Sequence, residues 1–161
     1  MHTNPVTSNF VADITGVDIK SLTDEEFDEI YQTWLTFGVV RIRDQQLNED
    51  ELQAFSARFG PLEKIPLGRH PEAERAKIKN PYVTQLSNII VDGKPIGGLG
   101  NAEANWHSDM TYVDNPPPAS VLLSIEIPDE GGDTYFADQI AALEAMPEEL
   151  ISRVETLTIK H

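Results

Sequence analysis

The sequence contains no cysteine. This absence excludes disulfide bonds, thiolate metal sites and cysteine nucleophiles, so any metal must be held by nitrogen and oxygen ligands. Basic residues are also scarce, because 12 Lys and Arg stand against 27 Asp and Glu and give a formal net charge of -15. Such a chain repels nucleic-acid phosphates and anionic membrane surfaces. A small anionic substrate stays compatible with this charge, since a few basic groups can dominate inside a pocket.

Long apolar runs are missing as well. No stretch approaches the roughly 20 apolar residues that cross a bilayer, and the first ten residues lack the basic and apolar regions of a secretion signal. We therefore expect a cytoplasmic protein with neither nucleic acid nor membrane as a partner, and a homo-oligomer is compatible with the sequence. The 161 residues, of which 40% are hydrophobic, fit one compact domain over residues 1–161.

Helical periodicity marks four segments. Thr23 with Glu26, and Asn48 with Glu51, form capping boxes ahead of two helices. The apolar residues of these helices recur at helical spacing and predict one buried face each: Phe27, Ile30, Tyr31 and Trp34 in the first, and Leu52, Phe55 and Phe59 in the second. Asp138 and Pro147 begin two further predicted helices, whose inward faces carry Ile140, Leu143, Met146, Leu150, Ile151 and Val154.

The remaining segments have the composition of strands. These segments are 39–43, 82–91, 106–113, 120–127 and 133–137, with a further strand beginning at 157–161. Asp92-Gly93 predicts a tight hairpin turn, and Pro116-Pro117-Pro118 predicts a turn between two strands. Strands that follow helices in this order predict an α+β fold, an antiparallel β core with helices outside it. A jelly roll uses about eight strands, so the core is predicted to be incomplete at the C-terminus.

His107-Ser108-Asp109 is the candidate metal-binding motif of the sequence. On an extended strand, residues two apart project to one face, so the imidazole and the carboxylate would share one cavity. Such a pair supplies two ligands of the two-His-one-carboxylate triad that binds Fe(II) and leaves positions open. Taken alone, this short pattern also fits a surface pair or a hydrogen-bonded structural histidine.

The surroundings of this pattern resemble a known family. The segment 105–112, Asn-Trp-His-Ser-Asp-Met-Thr-Tyr, is similar to the metal-binding signature of the taurine dioxygenase and 2,4-dichlorophenoxyacetate dioxygenase (TauD/TfdA) family. Blocks at 38–45, 59–63, 116–119 and 131–134 also resemble family blocks and occur in the family's order. The resemblance implies a double-stranded β-helix (jelly-roll, cupin-like) core with flanking helices. It also implies an Fe(II)- and 2-oxoglutarate-dependent dioxygenase that hydroxylates a small organic substrate with O2 and releases succinate and CO2.

The resemblance also implies individual roles. His107 and Asp109 would be the catalytic metal ligands, and Thr134 of Gly-Gly-Asp-Thr would bind 2-oxoglutarate. Asn105 and Glu103 lie in the segment where some sulfonate-using relatives place an Asn that contacts the substrate, and Glu103 aligns with that Asn. A carboxylate there would repel a sulfonate, which disfavours taurine. Trp106 would form part of the wall of the site and contact the substrate, although a Trp beside a strand His also fits a place in the core.

The family's second His ligand and its 2-oxoglutarate-binding Arg lie beyond the matched blocks, so the sequence is predicted to be truncated before both. His161 would align upstream of that second His. Two alternatives stay open at this point: a catalytically incomplete fragment or partner-binding remnant of such an enzyme, and a zinc hydrolase built on the same pair.

Overall fold

A computed structural model describes residues 1–64, 80–95, 98–99 and 105–158. Contacts divide the chain into two compact units: Met1–Gln45 with Ser124–His161, and Gln46–Leu123. The strands are β1 (His2–Pro5), β2 (Val11–Thr15), β3 (Val39–Ile42), β4 (Leu86–Ser87), β5 (Ile90–Val91), β6 (Lys94–Pro95) and β7 (Gly98–Leu99). The helices are α1 (Asp24–Phe37), α2 (Glu49–Ser56), α3 (Gln139–Glu144) and α4 (Glu148–Val154), with a 3-10 turn at Ile19–Ser21.

A three-stranded mixed sheet forms the centre of the first unit. β1 pairs antiparallel with β2, and β2 pairs parallel with β3, in the order β1-β2-β3. The strand predicted at 39–43 is confirmed as β3, whereas β1 and β2 were missed. β2 does carry the two-residue alternation of a half-buried strand, because Ala12 and Ile14 are fully buried between more exposed neighbours.

Helix α1 packs against β2 and β3 as its sequence predicts. Both hydrogen bonds of the Thr23–Glu26 capping box are present, and Gly38 ends the helix with φ of 76°. Phe27 and Ile30 lie in the core, and Ile30 is fully buried. The helix therefore supplies the apolar face that covers the sheet.

Polar contacts complete this unit. The Asp13 carboxylate accepts hydrogen bonds from Arg41, at 2.7 and 2.9 Å, and from Arg43, at 3.1 and 3.2 Å. The hydrogen bond from Arg41 is the main cause that lowers the pKa of Asp13, against an opposing effect of burial. The side chain of Gln45 accepts from Ile19 N at 3.0 Å and donates to the carbonyl of Val17 at 2.8 Å, which holds the segment before α1 to the end of β3.

In the second unit, α2 begins at its predicted Asn48–Glu51 capping box. Phe55 is buried and meets Phe59 edge to face, with ring centroids 5.3 Å apart. The predicted Asp92-Gly93 turn is confirmed: Asp92 and Gly93 have φ of 50° and 75°, and they join β5 to β6. The predicted strand at 82–91 is reduced to β4 and β5, and β4 pairs parallel with β7.

Three predicted strands, 106–113, 120–127 and 133–137, are wrong. The structure has no strand in these segments, and their large apolar side chains are exposed, as in Ile125, Ile127 and Tyr135 at 80%, 78% and 73%. A β-favouring composition forms a strand only when a neighbouring strand pairs with its backbone and another layer covers one face. The described residues provide neither for these segments. The double-stranded β-helix is therefore not formed by the described part of the chain, which contains a small mixed sheet, two short strand pairs and helices.

Helices α3 and α4 form, but their predicted inward faces are wrong. Asp138 caps α3 by accepting from Ile140 N and Ala141 N, as its sequence predicts. Ile140 and Leu143 are nevertheless 74% and 54% exposed. Among the described residues, no helix has the length and apolar character that crossing a membrane requires. Residues 159–161, including His161 and most of the last predicted strand, lie outside the described residues.

Candidate metal centre

His107 and Asp109 come together in the second unit. The Nε2 atom of His107 lies 3.2 Å from Oδ1 of Asp109. The Nδ1 atom of His107 lies 2.7 Å from the backbone carbonyl of Asn105. Because a carbonyl can only accept, Nδ1 carries the proton in this contact, and the contact between Nε2 and Asp109 is a hydrogen bond when Nε2 is protonated as well. In the neutral ring, Nε2 instead holds the lone pair that a metal would bind. This is the tautomer that an Nε2 metal ligand requires.

A turn produces this contact, where sequence analysis predicted a strand. Asp109 begins a turn, Met110 has φ of 51°, and Val113 N donates to the carbonyl of Met110 at 3.2 Å. A positive φ folds the chain back locally, which an extended strand does not do. The two side chains do lie close together, but the predicted extended backbone is wrong, and the cavity that they were predicted to share stays a prediction.

The Asp109 carboxylate has a second partner that sequence analysis did not find. Its Oδ2 atom accepts a hydrogen bond from Ser120 Oγ at 2.7 Å. Each carboxylate oxygen therefore has its own neighbour, His107 for Oδ1 and Ser120 for Oδ2. A serine eleven residues away, beyond three prolines, carries no sequence signal that would identify it as this partner.

The donor set fits a divalent transition metal. Imidazole nitrogen and carboxylate oxygen are ligands that suit Fe(II). When two ligand atoms each lie about 2.1 Å from a metal and the ligand–metal–ligand angle is about 90°, the two atoms are about 3.0 Å apart. The observed 3.2 Å between Nε2 and Oδ1 is close to that separation. The described residues contain no cluster of three or more His, Asp or Glu side chains that could hold a metal, so within them the pair supplies two ligands.

Electrostatics favour a positive charge at this position. The hydrogen bond to the Asn105 carbonyl raises the pKa of His107, and the negative charge of Asp109 raises it further. Both side chains are open to solvent, with 62% of His107 and 55% of Asp109 exposed. A proton on Nε2 and a metal ion would compete for this place, since a ligand histidine must be deprotonated.

Thr134 lies in the first unit and follows a glycine turn. Gly131 and Gly132 have φ of 74° and 70°, a conformation that residues with a Cβ atom rarely adopt. A Cβ atom at Gly132 would also lie 3.0 Å from the ring of Pro128. The Thr134 side chain is exposed. Its predicted role towards 2-oxoglutarate stays a prediction.

Of the three residues predicted to contact substrate, the structure describes Trp106 and Asn105 but not Glu103. Trp106 is 72% exposed, so its side chain does not form a closed wall beside His107. Asn105 acts on His107 through its backbone carbonyl. Glu103 lies outside the described residues. The substrate roles of these three residues stay predictions.

Residues 2–161 match the sequence profile of the taurine catabolism dioxygenase TauD, TfdA family. Two bacterial relatives are each 32% identical and cover 98% of this chain: an (S)-phenoxypropionate/alpha-ketoglutarate-dioxygenase from Sphingobium herbicidovorans and an alpha-ketoglutarate-dependent 2,4-dichlorophenoxyacetate dioxygenase from Cupriavidus pinatubonensis. The matches cover 52% and 57% of those proteins, so the chain spans about half the length of the curated relatives it matches.

Two further matches have lower sequence identity. An alpha-ketoglutarate-dependent sulfonate dioxygenase from Saccharomyces cerevisiae is 27% identical, over 97% of this chain and 38% of that protein. The crystal structure of AAD-2 in complex with Mn(II) and N-oxalylglycine is 25% identical, with a TM-score of 0.38 over 42% of this chain and 27% of that chain.

Proposed function

This chain belongs to the taurine catabolism dioxygenase TauD, TfdA family, and we propose that it provides the His-x-Asp half of the metal centre of an Fe(II)- and 2-oxoglutarate-dependent dioxygenase. The contact between His107 Nε2 and Asp109 Oδ1, at 3.2 Å, is the observation that carries this proposal. The hydrogen bond from Nδ1 to Asn105 supports it, because that bond leaves Nε2 available to a metal.

Alpha-ketoglutarate-dependent dioxygenases of this family use Fe(II) and 2-oxoglutarate. Bound together with O2, these groups supply the oxidative decarboxylation of 2-oxoglutarate to succinate and CO2 and the hydroxylation of a substrate. In this proposal His107 and Asp109 hold the metal. The Asn105 carbonyl fixes the tautomer and the ring orientation of His107.

Thr134 is proposed to donate its hydroxyl proton to a carboxylate of 2-oxoglutarate. The exposure of the Thr134 side chain supports this role, because its hydroxyl is open to a ligand. Asn105, Trp106 and Glu103 are proposed to contact the primary substrate from the segment that leads into His107. An exposed Trp106 ring offers an apolar surface to the organic part of such a molecule.

The substrate is proposed to be a small organic molecule. Relatives named for (S)-phenoxypropionate and 2,4-dichlorophenoxyacetate match at 32% identity, and a relative named for sulfonate matches at 27%. A carboxylate at Glu103 would repel a sulfonate that is not otherwise paired. We therefore favour a substrate without a sulfonate group.

An anaerobic titration tests the proposal. Purified chain receives Fe(II) and then 2-oxoglutarate, and visible absorption follows the weak charge-transfer band that marks both groups in one site. We expect the band with the unmodified chain and its loss in His107→Ala and Asp109→Ala. Asp114→Ala is the matched control, because Asp114 is an exposed carboxylate in the same segment.

Far-UV circular dichroism would establish that each variant keeps its secondary structure. An unchanged band in both His107→Ala and Asp109→Ala would remove the pair from the metal site. Equal loss in Asp114→Ala would mean that general negative charge, and not this pair, attracts the iron.

A further inference from the structure

We infer that Ser120 is a positioning residue that holds the Asp109 carboxylate for one-oxygen metal binding, an inference that rests on the function proposed above. Ser120 Oγ donates to Oδ2 at 2.7 Å, while Oδ1 lies 3.2 Å from His107 Nε2. The hydroxyl thus occupies one oxygen and leaves the other beside the imidazole. A short hydrogen bond to a charged acceptor is stronger than one between neutral groups.

The residues on either side of Ser120 lie beside other parts of the second unit. Before it, the Pro118 ring lies beside Gly60, so close that a Cβ atom at Gly60 would be 3.5 Å from Pro118 Cγ. After it, Val121 lines a cavity of about 80 Å³ together with Leu52 of α2. The prolines before it have restricted backbone angles. Ser120 therefore approaches Asp109 from a segment whose preceding residues, Pro116, Pro117 and Pro118, have fixed φ angles.

This arrangement affects how the carboxylate binds a metal. A carboxylate with both oxygens available can bind through two atoms, and the second atom then takes a coordination position. The two-His-one-carboxylate centre depends on open positions for its other ligands. By holding Oδ2, Ser120 keeps Asp109 to one coordinating oxygen. Loss of the hydroxyl should both weaken metal affinity and change the binding mode.

Mn(II) is the probe, because it binds nitrogen and oxygen ligands without oxidation in air-free buffer. The chain has a net charge of -15 and attracts divalent ions generally, so binding is measured at about 0.15 M salt, where exposed charges are screened beyond roughly 8 Å. Isothermal titration gives the dissociation constant. Infrared difference spectra give the separation between the two carboxylate stretching bands, which is wider for one-oxygen than for two-oxygen binding.

Four variants are compared with the unmodified chain. Ser120→Ala removes the hydroxyl, and Ser120→Thr keeps it. Ser124→Ala is the matched control, since Ser124 is also an exposed serine and lies four residues further on. Asp109→Ala defines the binding that does not involve the site, and it is subtracted from every isotherm and spectrum.

We expect Ser120→Ala to weaken Mn(II) binding about tenfold, the lower end of the effect seen for groups that orient metal ligands. The band separation should narrow in the same variant, and Ser120→Thr and Ser124→Ala should behave like the unmodified chain. If Ser120→Ala changes neither the Mn(II) affinity nor the band separation while Asp109→Ala loses binding, the role of Ser120 is overturned and the ligand pair stays in place. Binding unchanged in Asp109→Ala would overturn the ligand pair, and the role of Ser120 with it.

Discussion

Replacement of Ile30 by alanine should destabilise the first unit strongly. Ile30 is fully buried on α1, the helix that packs against β2 and β3. The change removes three carbon atoms, and burial of each contributes about 0.8 kcal/mol, or about 2.4 kcal/mol in all. A residual cavity adds to this loss, because core packing relaxes only partly. We expect the free energy of unfolding to fall by about 3 to 4 kcal/mol.

Leu35→Ala is the control on the same helix. Leu35 is 57% exposed, so its truncation removes little buried surface and should change the free energy of unfolding by no more than about 0.5 kcal/mol. Urea unfolding of both variants, followed by circular dichroism at 222 nm, measures the two losses. Natural domains are stable by only about 5 to 15 kcal/mol, so the loss in Ile30→Ala should shift the midpoint clearly.

A loss in the free energy of unfolding below about 1 kcal/mol in Ile30→Ala would refute the reasoning, because truncation of a fully buried isoleucine in a packed core should destabilise by more than this. An equal loss in the two variants would refute it too. That result would mean that helix content, and not burial against the sheet, sets the stability of the unit.

Three further predictions concern charge, backbone and cosubstrate. Asp13→Asn should lower the free energy of unfolding at pH 7 by up to about 1 kcal/mol. Because its folded pKa lies below the ordinary 3.8, the stability that Asp13 contributes is present above that value and is lost as the pH falls through the folded pKa. Urea midpoints measured from pH 7 to pH 2 should therefore converge for the two proteins, and a constant difference would contradict this. Gly38→Ala should cost about 1 to 2 kcal/mol in the same assay, since φ at Gly38 is 76°; a neutral result would mean that the helix end relaxes. Thr134→Ala should raise the 2-oxoglutarate concentration that half-saturates the charge-transfer band while leaving Fe(II) affinity unchanged, and an unaltered concentration would remove Thr134 from the site.

Local signals predicted the parts of the fold whose causes are local. The capping box at Thr23, the cap at Asp138 and the Asp92-Gly93 turn each depend on residues within a few positions of one another, and each forms as predicted. β2 was not predicted because its alternation of buried and exposed residues covers only Val11–Thr15 and includes only two buried positions. A strand of this length is stabilised mainly by its two neighbours in the sheet, which sequence spacing does not reveal.

The strands predicted between residues 106 and 137 are wrong because the sequence signal was present but the pairing was not. Their composition favours strands, but a strand depends on pairing, and the described residues offer these segments no partner strand. β propensity alone does not form a strand there. The exposure of Leu122, Ile125 and Ile127, from 63% to 80%, is the physical consequence.

The His107–Asp109 contact forms although the predicted strand does not, because the contact does not depend on a sheet. The Asn105 carbonyl, the positive φ of Met110 and the hydroxyl of Ser120 each act within fifteen residues of one another. A strand would set the two side chains on one face through pleating, which requires pairing along its length. A local turn places them 3.2 Å apart without any partner strand. The motif was identified through the resemblance of its surroundings to a family signature, and its backbone was not predicted, because a local turn and not a strand brings the nitrogen and oxygen donors together.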